Sequence, residues 1–142
     1  MEVFIIFNEN HMPFMEHTLN AWEQVEYAFP VNVIQLPEDR FEIKRRVLAD
    51  EKAEDSHYIL ADVGCVPEDG RALLGIMGGI KPTDGMLEFS PAGAIRVCRK
   101  GVVHKWPAQE TKDYNKEHAH AVKQAGYGVI LCPTTYRRIL EC

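Results

Sequence analysis

The sequence predicts an α/β fold, a three-layer sandwich around a mainly parallel sheet. Three observations lead there. Short apolar runs rich in β-branched and aromatic residues recur at Val3–Phe7, Val31–Leu36 and Tyr58–Ala61, each too brief for a helix. Between them lie two longer stretches whose apolar residues return about every 3.6 positions. Each run also stops at turn-forming residues: Asn8-Glu9-Asn10, Pro37-Glu38-Asp39, and Gly64 with Pro67. Strand, helix, strand, helix, strand at these lengths implies parallel strands joined by right-handed crossovers.

Taken in order, Val3-Phe4-Ile5-Ile6-Phe7 reads as a central strand with a polar tip at Asn8. From Phe14 to Tyr27 the residues Phe14, Met15, Leu19, Trp22 and Val25 keep a helical period, and Pro30 ends the helix. Val31 to Leu36 is a second strand. A second helix from about Arg40 to Glu54 carries Phe41, Ile43, Val47, Leu48 and Ala53 as its apolar positions, with charged residues filling much of the rest. Tyr58-Ile59-Leu60-Ala61 is a third strand, buried on both faces. Beyond Pro67 the pattern loosens. A short helix is expected over Asp69–Met77, then a breaker-rich loop through Gly78-Gly79 to Lys81-Pro82-Thr83-Asp84-Gly85. Ala92–Val97 and Val102-Val103 read as short strands of a hairpin turning at Arg99-Lys100-Gly101. Asp113–Gln124 is a further helix, and Tyr127–Cys132 a last strand before a short tail.

Composition bounds the function. At 142 residues the chain is expected to form one domain, 1–142. A net charge of -5 with scattered Lys and Arg argues against nucleic-acid binding. The four cysteines, Cys65, Cys98, Cys132 and Cys142, form no CxxC pair, which argues against a zinc ribbon, a redox dithiol or a disulfide framework. A reduced, cytoplasmic setting is expected, with no signal peptide after Met1-Glu2 and no membrane span. Gly78-Gly79 follows no strand and lacks the spacing of a nucleotide fingerprint, and no GxSxG elbow occurs.

Asp62 stands out because it follows a buried strand. In open α/β sheets ligands bind beyond the carboxyl ends of the strands, so this is where a metal- or substrate-binding carboxylate belongs. Its other reading is a turn cap. His104, near Trp106, is a candidate to complete a metal shell with Asp62, or a structural histidine. Asp113 and Glu117 are four apart, on one helical face, either lining a cleft or forming a solvated edge. His118 and His120 point about 160° apart on a helix and are read as surface residues. Lys81–Gly85 and Arg96–Lys100 offer cations for a diphosphate, or solvated tips.

Three segments resemble the GT-A type of nucleotide-sugar glycosyltransferase, in a minimal or degenerate form close to family 2. Phe7-Asn8-Glu9 through Glu16-His17-Thr18-Leu19-Asn20-Ala21-Trp22-Glu23-Gln24 is similar to the opening strand and helix of such enzymes. Tyr58–Pro67 resembles their "DxD..P" segment, which holds a divalent ion against the donor diphosphate. Asn115–Val129 resembles their late helix and strand, where a carboxylate faces the acceptor. The resemblance implies a nucleotide-sugar donor and a hydroxyl acceptor, with Asn8, Glu38 and Asp39 near the nucleotide. It implies Mg²⁺ or Mn²⁺ at Asp62, and Glu117 or Asp113 as general base. Two departures bear on this. Gly64 stands where the motif has its second acid, and the late helix lacks an adjacent Glu-Asp pair. A compact or degenerate copy, such as a viral genome carries, would look like this, and the alternative is a non-catalytic binding or interaction protein on the same scaffold.

Overall fold

A computed structural model describes residues 2–25, 29–67, 78–89, 95–102, 114–132 and 136–138. Strand β1 (Val3–Phe7) leads through a one-turn 3-10 helix (Glu9–His11) into helix α1 (Met12–Glu23). Strand β2 (Val31–Gln35), helix α2 (Phe41–Lys52) and strand β3 (His57–Ala61) complete the expected first half. Then come β4 (Cys65–Pro67), β5 (Asp84–Phe89), β6 (Ile95–Arg99), helix α3 (Tyr114–Gln124), β7 (Gly128–Cys132) and β8 (Tyr136–Arg138).

Six strands form one mixed sheet in the order β2-β1-β3-β6-β5-β7, and β4 pairs with β8 in a separate ribbon. β1 runs parallel to β2 and to β3, with Val3 opposite both Val31 and Ile59. β5 and β7 are also parallel, while β6 runs antiparallel to both β3 and β5. The carboxyl ends of β1, β2, β3, β5 and β7 therefore share one edge of the sheet.

Alternation along the strands fills two cores. Val3, Ile5, Ile59, Ala61, Leu87, Phe89, Ile95 and Val97 pack with Met15, Ala21 and Trp22 of α1 on one face. Phe4, Ile6, Tyr58, Leu60, Met86 and Cys98 pack with Ala49 of α2 and Val122 of α3 on the other. Helices on both faces make the three layers.

The structure corrects the second half. The expected hairpin at Arg99–Gly101 is absent: β6 finds both partners in β3 and β5, and Val102 packs into the core instead of returning as a strand. β5 starts inside the segment read as loop. Its acids and Gly85 hide the strand pattern, yet a Cβ on Gly85 would overlap Val122 Cγ1 and lie 2.5 Å from Tyr127 Cβ, so only Gly lets α3 and β7 close on it. β8 lies in what reads as a tail. The helix expected over Asp69–Met77 falls outside the described residues.

Candidate functional site

The site is built at the end of β3. The chain leaves the strand at Asp62 and turns through Val63-Gly64, with the Cys65 N–H returning to the Asp62 carbonyl at 3.3 Å. Gly64 has φ +84°, a region that costs other residues about 1 kcal/mol or more. Helix α1 pins this turn from the side. Thr18 Oγ1 accepts the Gly64 N–H at 3.0 Å, and Trp22 Nε1 donates to the Cys65 carbonyl at 3.0 Å. Thr18 and Trp22 both lie in the first segment of the glycosyltransferase resemblance, and here their role is to shape the Asp62 turn.

Helix α2 supplies the other wall. Arg45 donates from Nη2 to Asp62 Oδ1 at 2.9 Å and from Nε to Glu42 Oε2 at 3.0 Å, with Nη2 also 3.0 Å from that Glu42 oxygen. The Arg45 guanidinium lies over the Phe41 ring, 5.9 Å from its centroid. Burial pushes the Asp62 carboxyl up, but Arg45, Arg96 and Arg46 together outweigh it and hold it below the usual carboxylate range. Burial likewise opposes the charge on Arg45, and Asp62 and Glu42 reverse that and raise its pKa.

Behind Arg45 a second layer is buried. Arg46 donates to His118 Nδ1 at 2.9 Å and to Asn115 Oδ1 at 2.6 Å, tying α2 to α3, and its Nη2 lies 3.5 Å from Glu42. Burial, then Arg96 and Arg45, lower the Arg46 pKa to about 9, so it is charged at neutral pH. His118 is only 2% exposed, which corrects its reading as a surface residue. Burial first, and then Arg46, Arg96 and Arg45, hold its pKa well below 6.5. The ring is therefore neutral and accepts at Nδ1. Arg96, expected at a solvated tip, is fully buried on β6. His120 is exposed, as expected.

Among the described residues, two clefts open along this edge of the sheet. One, of about 200 Å³, is lined by Ile6, His11, Phe41, Glu42, Arg45, Asp62, Val63 and Cys65. The Asn8 N–H donates to His11 Nδ1 at 3.1 Å, and burial followed by Arg45 lowers the His11 pKa, so a neutral ring carries its proton on Nε2. The other, of about 580 Å³, is lined by Glu9, Asn10, Gln35, Leu36, Pro37 and Glu38. The Asn8–His11 turn contributes to both, His11 to the first and Glu9 and Asn10 to the second.

The sequence-derived candidates divide accordingly. Asn8 accepts the Asn10 N–H at its side-chain oxygen and so shapes the turn itself. Asn10 in turn donates to Glu38 across the tips of β1 and β2. Asp39 is exposed and lies 3.6 Å from Lys44. Glu117 is exposed on the first turn of α3 and does not line either cleft. His104 and Asp113 lie outside the described residues. Sequence reading offers Arg96 as a candidate cation for a diphosphate, whereas it misses Arg45 and Arg46 of α2, together with Asn115 and His11. The signal for the arginines was present as charges on the apolar stripe of α2, adjacent to Ile43 and Ala49.

The donor set bears on the metal expected at Asp62. Among the described residues no three His, Cys, Asp or Glu side chains gather as a metal shell. The inner position at Asp62 is taken by a guanidinium, and the second-acid position is a glycine. Asp62 and Glu42 are opposed by Arg45 and Arg46, which leaves little negative charge to hold a divalent ion. These residues do not fit a metal site.

No helix among the described residues is long and apolar enough to cross a membrane. No protein-family model matches the chain, and no curated protein matches it significantly in sequence. Solved structures match it in fold. The mannosyltransferase PcManGT from Pyrobaculum calidifontis, in complex with GDP-Man and Mn²⁺, superposes with a TM-score of 0.71 at 12% identity, over 93% of this chain and 54% of that one. S. aureus TarS 1-349 gives 0.67 at 10% identity, over 96% and 59%. A CMP:2-keto-3-deoxy-manno-octonic acid synthetase complexed with CTP gives 0.61 at 12% identity, over 92% and 88%. The chain thus spans 54% and 59% of the lengths of the first two. Mixed sheet, helices on both faces and strand-tip clefts together make this the GT-A-like fold of nucleotide-diphospho-sugar transferases.

Proposed function

We propose that residues 1–142 act as one GT-A-like domain that binds a nucleotide-sugar across the tips of β1, β2 and β3. The observation that carries this is the chemical difference between the two clefts. The larger one is lined by carboxylates and amides over Leu36 and Pro37, and has no cationic lining residue among those described. Such a surface repels phosphate and accepts hydrogen bonds from ribose hydroxyls and base N–H groups. Glu38 and Asn10 are the side chains for that task. The smaller cleft presents the Arg45 guanidinium and the His11 Nε2–H, donors suited to phosphate oxygens. Neutral nucleoside on one side and charged phosphates on the other match a nucleotide-sugar laid across the Asn8–His11 turn.

Transfer to a hydroxyl acceptor further requires a base within hydrogen-bond reach of that hydroxyl. Glu117 and Asp113 are our candidates, and Glu117 is solvent-facing, where an acceptor would arrive. A second reading, binding without turnover, is favoured by Gly64 at the second-acid position and by the absence of Glu117 from the lining of either cleft.

The test is thermal melting with UDP-, GDP-, CMP- and dTDP-linked sugars. A donor at 100 times its Kd adds about 2.7 kcal/mol of stability. We expect one donor to raise Tm and Glu38→Ala to blunt the shift. If none shifts Tm, the reading fails. A shift with no donor consumed in the presence of hydroxyl acceptors supports binding without turnover.

A further inference from the structure

Resting on that reading, we infer that Arg45 is the cation of the phosphate cleft, so that this domain binds a nucleoside diphosphate without a divalent metal ion. Arg45 Nη2 lies 2.9 Å from Asp62 Oδ1 and 3.0 Å from Glu42 Oε2. A guanidinium between two carboxylates occupies the position from which a bridging cation would face the ligand. It is fixed there from three sides: by Asp62, by Glu42, and by the Phe41 ring beneath it.

Its fork suits the task. The described hydrogen bonds of Arg45 run from Nε and Nη2, and its remaining N–H donors are the ones offered to a phosphate oxygen in the cleft it lines. Arg46 and Arg96, buried behind it, add positive potential that favours an anion and disfavours a second cation. Gly64 contributes no ligand, and its left-handed backbone resists replacement by an acid. Asp62 then has a positioning role: it aims the guanidinium and maintains its charge, with no metal to hold.

The experiment is isothermal titration calorimetry of the full chain with UDP, GDP and dTDP, each in EDTA and each with MnCl₂. We expect the nucleotide that binds to do so in EDTA, with the same Kd when Mn²⁺ is present. Arg45→Lys keeps the charge and loses the fork, and should weaken binding by about tenfold or more. Asp62→Asn keeps an acceptor for Nη2 and removes a repulsive charge, and should tighten binding by about three- to tenfold. A metal-bridged site demands the reverse, since it loses its carboxylate ligand. Binding seen only with Mn²⁺, or abolished by Asp62→Asn in a folded protein, overturns the inference while leaving nucleotide binding intact. Absence of binding by all three nucleotides in both buffers overturns this inference, and the nucleotide reading falls with it when no donor, CMP-linked sugars included, raises Tm.

Discussion

Thr18 gives the sharpest test of how α1 shapes the site. Its side chain is fully buried, donates to the Phe14 carbonyl at 2.8 Å and accepts the Gly64 N–H at 3.0 Å. Thr18→Val is nearly isosteric and deletes both bonds. The Phe14 carbonyl belongs to helix α1 and needs no side-chain donor, so losing that bond costs little. The Gly64 N–H is different, because Val leaves a buried donor without its acceptor, at about 1–3 kcal/mol. For a chain of this length about 3–4 °C of Tm follows each kcal/mol, so Thr18→Val should melt roughly 3–12 °C lower. Thr18→Ser keeps the hydroxyl and loses one methyl, for about 1 kcal/mol. Differential scanning calorimetry gives the Tm values, and nucleotide titration gives the effect on the site. Thr18→Val should also weaken nucleotide binding, because the Asp62 turn loses its anchor, whereas Thr18→Ser should not. A Thr18→Val protein that melts at or above wild type would refute the reasoning.

Two further expectations concern the packing of α3. Gly85→Ala forces a Cβ onto Val122 and Tyr127 and should cost about 1–3 kcal/mol, read as a lower denaturation midpoint with unchanged m. His118 is neutral and buried, with a folded pKa well below 6.5, so the unfolded chain takes up a proton first as pH falls. Stability carried by this residue is present above pH 6.5 and is lost below it, at up to about 1.4 kcal/mol per pH unit. Urea unfolding between pH 7.5 and 5 should show that slope, and His118→Asn should flatten it. An identical slope in the variant would mean that another group carries it.

Much of the scaffold was legible because local chemistry dictated it. Val3–Phe7, Val31–Gln35 and His57–Ala61 are strands because their apolar runs are short and β-branched, and the intervening periods of 3.6 could only be helices. The position of Asp62 followed from the same logic, since residues just past buried parallel strands collect at one edge of the sheet. β5 was not legible. Asp84, Gly85 and Glu88 break its pattern, and the Gly is there for a contact with residues some forty positions away, which no local window registers. The antiparallel pairing of β6 with β3 is non-local in the same way, since it joins His57 to Arg99 and Ala61 to Ile95.

By itself, then, the sequence determined the strand-and-helix alphabet of the first half, the two-faced burial of the sheet and the place of Asp62 at the carboxyl edge of its parallel strands. What the tertiary structure decided is the chemistry of that edge. Arg45, Arg46, Arg96 and His118 read singly as solvated charges or a surface histidine, because an isolated charge on a helix belongs in water. Only packing α2 and α3 on the sheet brings Asp62 to Arg45 and Asn115 to Arg46, and makes the burial of those arginines tolerable. Charge compensation depends on distances of about three ångströms between elements far apart in the chain. That is why the carboxylate was foreseen at Asp62 and its arginine partner was not.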